Sequence, residues 1–328
     1  MMSKLLRLFM VLALAIPLVS SAQKTDREKL GYYKYLQPPA SDALSGKEFY
    51  LLEIELDGSD AYRRQLAGQR FTVKGYHKAD TDNPIDFTIR IREGAFSFRT
   101  PKKSSYSKEG KTFHYYKGEG RFHYTIKVFN AEDNEIFRDD VSGSKSLQGD
   151  NSESLTLANE YYNSQKVKFK EEVMLEQMDE LGRIFENQFS NVEKTIHLNA
   201  VRIKPKKYDY PEFNEAFNNL NRVYEILKVT NTPTSESDEL LSSVISVYTS
   251  FLEDATPEDK KSKKNAEVTA AAYYNLGIAQ FLAQHYQKAK QAFTMAASYD
   301  DKVMYDVEYL IKTTQSMADR TGLKFFEP

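Results

Sequence analysis

Two hydrophobic periods divide the chain. Between Lys47 and Lys145 the period is two: Tyr50, Leu52, Ile54 and Leu56 recur at alternate positions, and Ile85, Phe87, Ile89 and Ile91 alternate strictly with Asp86, Thr88, Arg90 and Arg92. Such alternation marks half-buried strands. Thr112–Phe129 reads as a hairpin, because Lys117-Gly118-Glu119-Gly120 separates a run carrying Phe113 and Tyr115 from one carrying Phe122, Tyr124, Ile126 and Val128. A turn at Glu132-Asp133-Asn134 then returns Glu135–Val141 as a further strand.

From Asn151 the period becomes 3.6. Met174, Met178, Leu181, Phe185 and Phe189 occupy one face of a long helix. Gly182 interrupts it at a cost of about 1 kcal/mol relative to alanine, which predicts a kink or a close packing contact there. Val192–Ile203 reads as another strand. Lys204–Pro211, with two prolines, charges and tyrosines, separates that strand from continuous helix. Phe213–Lys228, Glu236–Asp254, Val268–Gln284, Tyr286–Tyr299 and Val303–Ala318 each have helical length and spacing.

These patterns predict an α+β chain. Residues 46–205 form a largely antiparallel sheet domain with a long helix, and residues 206–328 an all-α domain of helical hairpins. Residues 23–45, with Tyr32-Tyr33-Lys34-Tyr35 and Pro38-Pro39, read as an extended arm. Residues 1–22 carry the marks of an export leader: Lys4 and Arg7, an apolar run from Leu8 to Val19, and Ser20-Ser21-Ala22 as a cleavage site. That run is shorter than the roughly 20 residues a membrane span requires, so no transmembrane segment is expected after cleavage. The expected location is periplasmic or secreted.

Within the helical region, Ala270–Val303 resembles one tetratricopeptide repeat. Tyr273 takes the large aromatic position of the first helix, Leu276 and Gly277 its Leu-Gly pair, and Tyr286 the aromatic that opens the second helix. Ala289, Phe293 and Ala296 complete the signature. Departures stand at Gln280, where a large apolar residue is usual, and at Asp301, where proline often closes the repeat. The resemblance implies two antiparallel helices that meet at Gly277 and Ala289. It also implies a ligand-binding inner face at Ala271, Tyr274, Asn275, Ile278, Phe281 and Leu282. Of these only Asn275 fits a carboxylate clamp, so the implied partner is an extended or helical segment pressed against Tyr274, Ile278 and Phe281. Separately, Arg121–Ile203, a strand, turn and strand containing Tyr-Thr-Ile-Lys-Val-Phe-Asn-Ala-Glu-Asp-Asn-Glu-Ile-Phe and followed by a long helix and a strand, resembles lipoprotein-type modules of the curli-assembly class.

The chain has no cysteine, which excludes a disulfide framework, a thiolate nucleophile and a lipid-bearing cysteine. Its net charge is −2 and its basic runs, Pro101–Lys111 and Lys260–Lys264, are short. They read as solvated loops, and nucleic acid is not an expected partner. Signatures for nucleophilic hydrolases, zinc proteases, phosphate loops and dinucleotide folds are absent from the sequence, so no catalytic residue and no cofactor is expected. If the Thr112–Phe129 hairpin turned at Gly118-Glu119, His114 would face His123. Two ligands are too few for a zinc site, so no metal is expected either. The expected function is a non-enzymatic scaffold joining other envelope proteins. The alternative is a glycan- or peptidoglycan-binding module using some of the 22 tyrosines and 20 phenylalanines.

Overall fold

A computed structural model describes residues 24–58, 61–206, 208–230, 232–300 and 304–321. The expected leader, residues 1–22, lies outside the described residues. In chain order the strands are β1 Lys24–Gln37, β2 Phe49–Glu55, β3 His77–Lys78, β4 Phe87–Glu93, β5 Ser97–Phe98, β6 Lys102–Lys108, β7 Lys111–Asn130, β8 Glu135–Gln148 and β9 Val192–Lys204. The helices are α1 Ala61–Arg70, α2 Leu155–Phe189, α3 Pro211–Thr230, α4 Ser235–Glu253, α5 Ala266–Leu282, α6 Tyr286–Tyr299 and α7 Met304–Thr321. Side-chain caps set several helix starts: Ser154 accepts from the Leu157 N–H, Asn265 from the Val268 N–H, and Thr234 closes a capping box with Ser237.

The chain folds into two compact units. One combines the segment ending at Tyr35 with Glu193–Asp319, and the other combines Leu36–Val192 with the segment from Arg320. The boundary expected between residues 205 and 206 falls here between Val192 and Glu193, and the extended arm expected at residues 23–45 is divided between the two units after Tyr35. β1 and β9 pair as a two-stranded ribbon, and Leu30, Tyr33, Ile196, Leu198, Ala200, Val201 and Ile203 share one apolar core with the helices α3–α7. Burial of those side chains ties the arm and the last strand to the helical unit.

The α/β unit is a seven-stranded sheet in the order β3-β2-β4-β7, with β5 and β6 also along β7 and β8 on β7 as well. β2 runs parallel to β3 and to β4, and every other pairing is antiparallel. Tyr50, Phe87, Ile89, Ile91, Tyr124, Ile126 and Val128 form the inner face, packed against Met174, Met178, Leu181, Phe185 and Phe189 of α2 and Ala67 of α1. Phe87 and Phe185 stack with ring centroids 6.0 Å apart. α2 continues unbroken through Gly182, where an added methyl group would come within 2.9 Å of the Thr72 carbonyl oxygen. Gly182 thus marks a close backbone approach and not a kink.

The turn expected at Lys117–Gly120 does not form. β7 runs straight through it, pairing Lys117 with Lys102 and Gln148 on its two sides. The glycines there have a packing role: a side chain on Gly118 would collide with the Tyr162 ring, and one on Gly120 would come within 2.5 Å of Phe169. The actual hairpin turns at Glu109-Gly110, both with positive φ (52° and 78°), as a two-residue primed turn requires. The basic run Pro101–Lys111 is therefore mostly strand and not solvated loop. The turn at Glu132–Asn134 does form, with Asp133 at φ 59°, and β8 extends beyond Val141 to Gln148.

In the helical unit α5 and α6 make the antiparallel pair implied by the tetratricopeptide resemblance. Ala289, Phe293 and Ala296 are fully buried, Gly277 is buried and Tyr286 nearly so, and Tyr273 and Leu276 pack at the margin of the core. Tyr273 stacks on Tyr299, with centroids 5.9 Å apart and planes 17° apart. The departure at Gln280 has a local partner: its side-chain oxygen accepts from His285 Nδ1 at 2.8 Å, which satisfies a buried amide at the turn between the helices. A methyl group on Gly277 would lie 2.6 Å from two carbons of the Phe293 ring. Gly277→Leu is expected to destabilise the helical unit by about 1–3 kcal/mol through overpacking, measured as a lowered urea midpoint. An unchanged midpoint would mean that Phe293 has room to move aside.

Candidate functional site

The inner face of α5 is closed. Tyr274, Asn275, Ile278, Phe281 and Leu282 are each no more than 1% exposed, and Ala271 is also buried. The groove implied by the repeat resemblance is thus core, and the five residues do not present an open partner-binding surface. What fills it is the chain's own ribbon. Tyr33 and Tyr35 of β1 meet the Phe281 ring edge-on at 6.3 and 5.7 Å, and the Arg27 guanidinium sits 5.7 Å from the centre of the Tyr274 ring. Thr25 holds the start of β1 against α5, its N–H and hydroxyl both donating to Glu267.

Asn275 contacts a main chain, as a peptide clamp would, but the main chain belongs to β9. Its Nδ2 donates to the Val201 carbonyl at 2.7 Å, and its Oδ1 accepts from the Val201 N–H at 2.7 Å. A second Nδ2 bond reaches the Tyr248 hydroxyl at 2.9 Å. Burial raises the Tyr248 pKa well above the ordinary tyrosine value, so this hydroxyl keeps its proton and stays available as a neutral partner. The segment pressed against Phe281 is the chain's own β1 and not an external partner. Sequence could not say that the segment was internal.

Among the described residues, the α/β unit buries the ion pair of Arg63 with Glu93. Arg63 Nη2 reaches both Glu93 oxygens at 3.0 and 3.1 Å, the Tyr124 hydroxyl donates to Glu93 at 2.8 Å, and the Asp57 N–H donates at 2.9 Å. Burial, with Glu93 adding to it, pushes the Tyr124 pKa far up, so Tyr124 remains a donor. Both Glu93 oxygens are engaged by the protein's own donors, and a carboxylate held in this way is not a free general base. A pocket of about 640 Å³ opens beside it, lined by Glu55, Asp57, Arg92, His123 and Arg138 among others. No motif predicted this cluster; the buried Glu93, which breaks the apolar alternation of β4, was its one sequence signal.

His114 and His123 sit on the same strand, nine positions apart, and so on opposite faces. His114 pairs with Ser105 and bridges to Ser152, while His123 lies 3.4 Å from Asp140. The cross-strand histidine pair does not exist. Among the described residues no group of three metal-ligating side chains gathers.

The sheet face turned away from α2 carries mainly charged and polar side chains, half-buried or exposed. Even-numbered residues of β7 meet the helix, with Tyr116 against Tyr162 and Tyr124, Ile126 and Val128 in the core, so the odd-numbered ones point outward. Along much of this face charges are matched, across strands for Arg90 with Glu53, Arg92 with Glu55 and Lys127 with Glu135, and along β8 for Arg138 with Asp140. The β6–β7 hairpin differs. Its outward rungs are Lys102–Lys117, Ser104–Tyr115, Tyr106–Phe113 and Lys108–Lys111. Tyr106 stacks on Phe113 at 5.6 Å with planes 21° apart and lies 6.3 Å from Tyr115. The hydroxyls of Tyr106 and Tyr115 have no hydrogen-bond partner among the described residues, and Lys102, Lys103 and Lys108 have no ion-pair partner there. Lys111 is matched by Glu153, and Lys117 lies over the Tyr115 ring.

No described helix is long and apolar enough to cross a membrane. No family model matches the chain, and no curated protein matches it. Among solved structures it is similar to a minor lipoprotein from Acinetobacter baumannii, at 16% identity over 44% of this chain and 96% of that one, with a TM-score of 0.27. The rare lipoprotein B from Shewanella oneidensis aligns at 12% identity over 41% and 92%, with a TM-score of 0.26. A neuraminyllactose-binding hemagglutinin homolog from Helicobacter pylori aligns at 11% identity over 44% and 86%, with a TM-score of 0.27. Similarity at this level carries no argument about what the chain does.

Proposed function

We propose that this chain is an exported, non-enzymatic scaffold of a cell-envelope assembly that binds its partners through exposed faces of its two units. The observation that carries this reading is the internal use of two buried polar side chains, Asn275 and Glu93. Asn275 is engaged by the β9 backbone and Glu93 by Arg63, Tyr124 and Asp57. Groups engaged in this way hold architecture, and recognition then falls to the surface. The leader-like residues 1–22 supply the export part of the reading.

Crosslinking in intact cells, followed by recovery of the chain from the envelope fraction, tests it. Specific envelope proteins joined to the chain, which itself begins at or near Gln23 by mass spectrometry, is the expected result. A mature chain that retains Met1 and recovers only cytoplasmic proteins would end the proposal. The second reading, a glycan-binding module, is favoured by one specific observation: the outward row of Tyr106, Phe113 and Tyr115 on the β6–β7 hairpin.

A further inference from the structure

We infer that the outward face of the β6–β7 hairpin is a binding site for an acidic polysaccharide, an inference that deepens the glycan reading and rests on it. Two features coincide there. The first is uncompensated charge. From Arg99 to Lys117 there are six basic residues against one acid, Glu109, in a chain whose net charge is −2; Glu119 and Glu153, outside that stretch, match only Arg99 and Lys111. Toward the other end of the same sheet face Arg90, Arg92, Lys127 and Arg138 each have a carboxylate partner. Here the outward Lys102 and Lys108 have none among the described residues, so an external anion is the matching group.

The second feature is the order of the rungs. Lysine pairs stand at both ends, Lys102–Lys117 and Lys108–Lys111, with Tyr115, Tyr106 and Phe113 between them. Six residues of strand separate the ends by about 20 Å. Tyr106, 42% exposed, and Tyr115 offer ring surface to the apolar faces of sugars, and their unpartnered hydroxyls match sugar hydroxyls. Carboxylates along a linear polymer would then meet Lys102 and Lys117 at one end and Lys108 at the other.

A protein partner fits this face less well. The centres of protein interfaces are depleted in lysine and built around apolar anchors in pockets, and this surface is flat and lysine-rimmed. Single-stranded nucleic acid also pairs stacking with positive charge. It requires a basic track that follows successive phosphates, whereas the positive field here stops at Lys111, which Glu153 already neutralises.

The test is affinity electrophoresis of the full mature chain in native gels containing polygalacturonate, at an ionic strength of about 0.15 M so that diffuse attraction is screened. Neutral dextran and an oligodeoxythymidylate serve as comparison ligands. Retardation by polygalacturonate and none by dextran is expected, with the oligonucleotide bound about ten-fold more weakly or less. The pair Tyr106→Thr and Tyr115→Thr, which keeps strand-favouring residues, should weaken binding by about ten-fold or more. The triple change Lys102→Gln, Lys108→Gln and Lys117→Gln should do the same, and the same charge removed at Lys228, Lys288 and Lys290 should not.

Absence of retardation would overturn the site. Equal losses from the two lysine triples would reduce it to net charge, and full binding by a folded tyrosine pair would remove the stacking. Oligonucleotide binding that is tighter and depends on Tyr106 and Tyr115 would reassign the ligand to nucleic acid. If the tyrosine pair fails to fold, comparison of the two lysine triples still decides. Envelope partners recovered by crosslinking without polygalacturonate binding would eliminate this site alone; binding without crosslinked partners would eliminate the scaffold and leave the site.

Discussion

Changing Tyr274 and Phe281 together to alanine is expected to unfold the helical unit, not to release a partner from an intact one. Both side chains are no more than 1% exposed. Tyr274 packs edge-on against Phe293 at 5.9 Å and beneath Arg27, while Phe281 meets Tyr33, Tyr35 and Tyr286. Removing a buried aromatic ring costs about 3–5 kcal/mol. Two such losses approach the whole stability of a typical domain, about 5–15 kcal/mol. The two residues lie on one helix within one core, so their losses will not simply add.

Hydrogen exchange read by mass spectrometry over Glu193–Asp319 is the suitable measurement, because it reports this unit separately from Leu36–Val192. Loss of protection in α5, α6 and the β1–β9 ribbon is expected. A double variant with unchanged protection and lost partners would show that the ribbon leaves the α5 face in solution, and the groove would then be a recognition surface after all.

Replacing Glu93 with alanine is expected to cost about 3–5 kcal/mol, because it leaves the Arg63 guanidinium buried without its counter-charge. The Arg63 and Glu93 side chains are 11% and 1% exposed. The change also removes the acceptor for the Tyr124 hydroxyl and for the Asp57 N–H, and unmade buried bonds are themselves costly. Glu93→Gln, which keeps the shape and one acceptor, should lose less. Circular dichroism during urea unfolding of both variants gives the comparison. Equal midpoints for Glu93→Ala and wild type would mean that water reaches Arg63, and that the cluster is a wet pocket rim and not a structural joint.

Much of the architecture was legible from local pattern. Strict alternation at Phe87–Arg92 and the Met174–Phe189 stripe record which face of a strand or helix is buried, and that periodicity survives whatever the partner surface is. The α5–α6 pair was legible because close helix packing demands small residues at fixed spacing, and Gly277 and Ala289 supply them against Phe293. The site was much less legible. Gly118 and Gly120 gave a turn signal, yet they exist to admit the Tyr162 and Phe169 rings. Glu109-Gly110, the real turn, was hidden inside a basic run, and with it the row of Tyr106, Phe113 and Tyr115.

Sequence by itself thus determined the element types, the apolar faces and the helical pair, because each depends on residues within a few positions of one another. Tertiary structure alone decided what those faces meet. That β1 pairs with β9 and covers α5, that Asn275 clamps Val201, and that β2 runs parallel to β4 are contacts between segments far apart in the chain. Neither apolar periodicity nor a repeat signature encodes the partner of a buried face: a groove filled by its own chain and one filled by another protein require the same side chains.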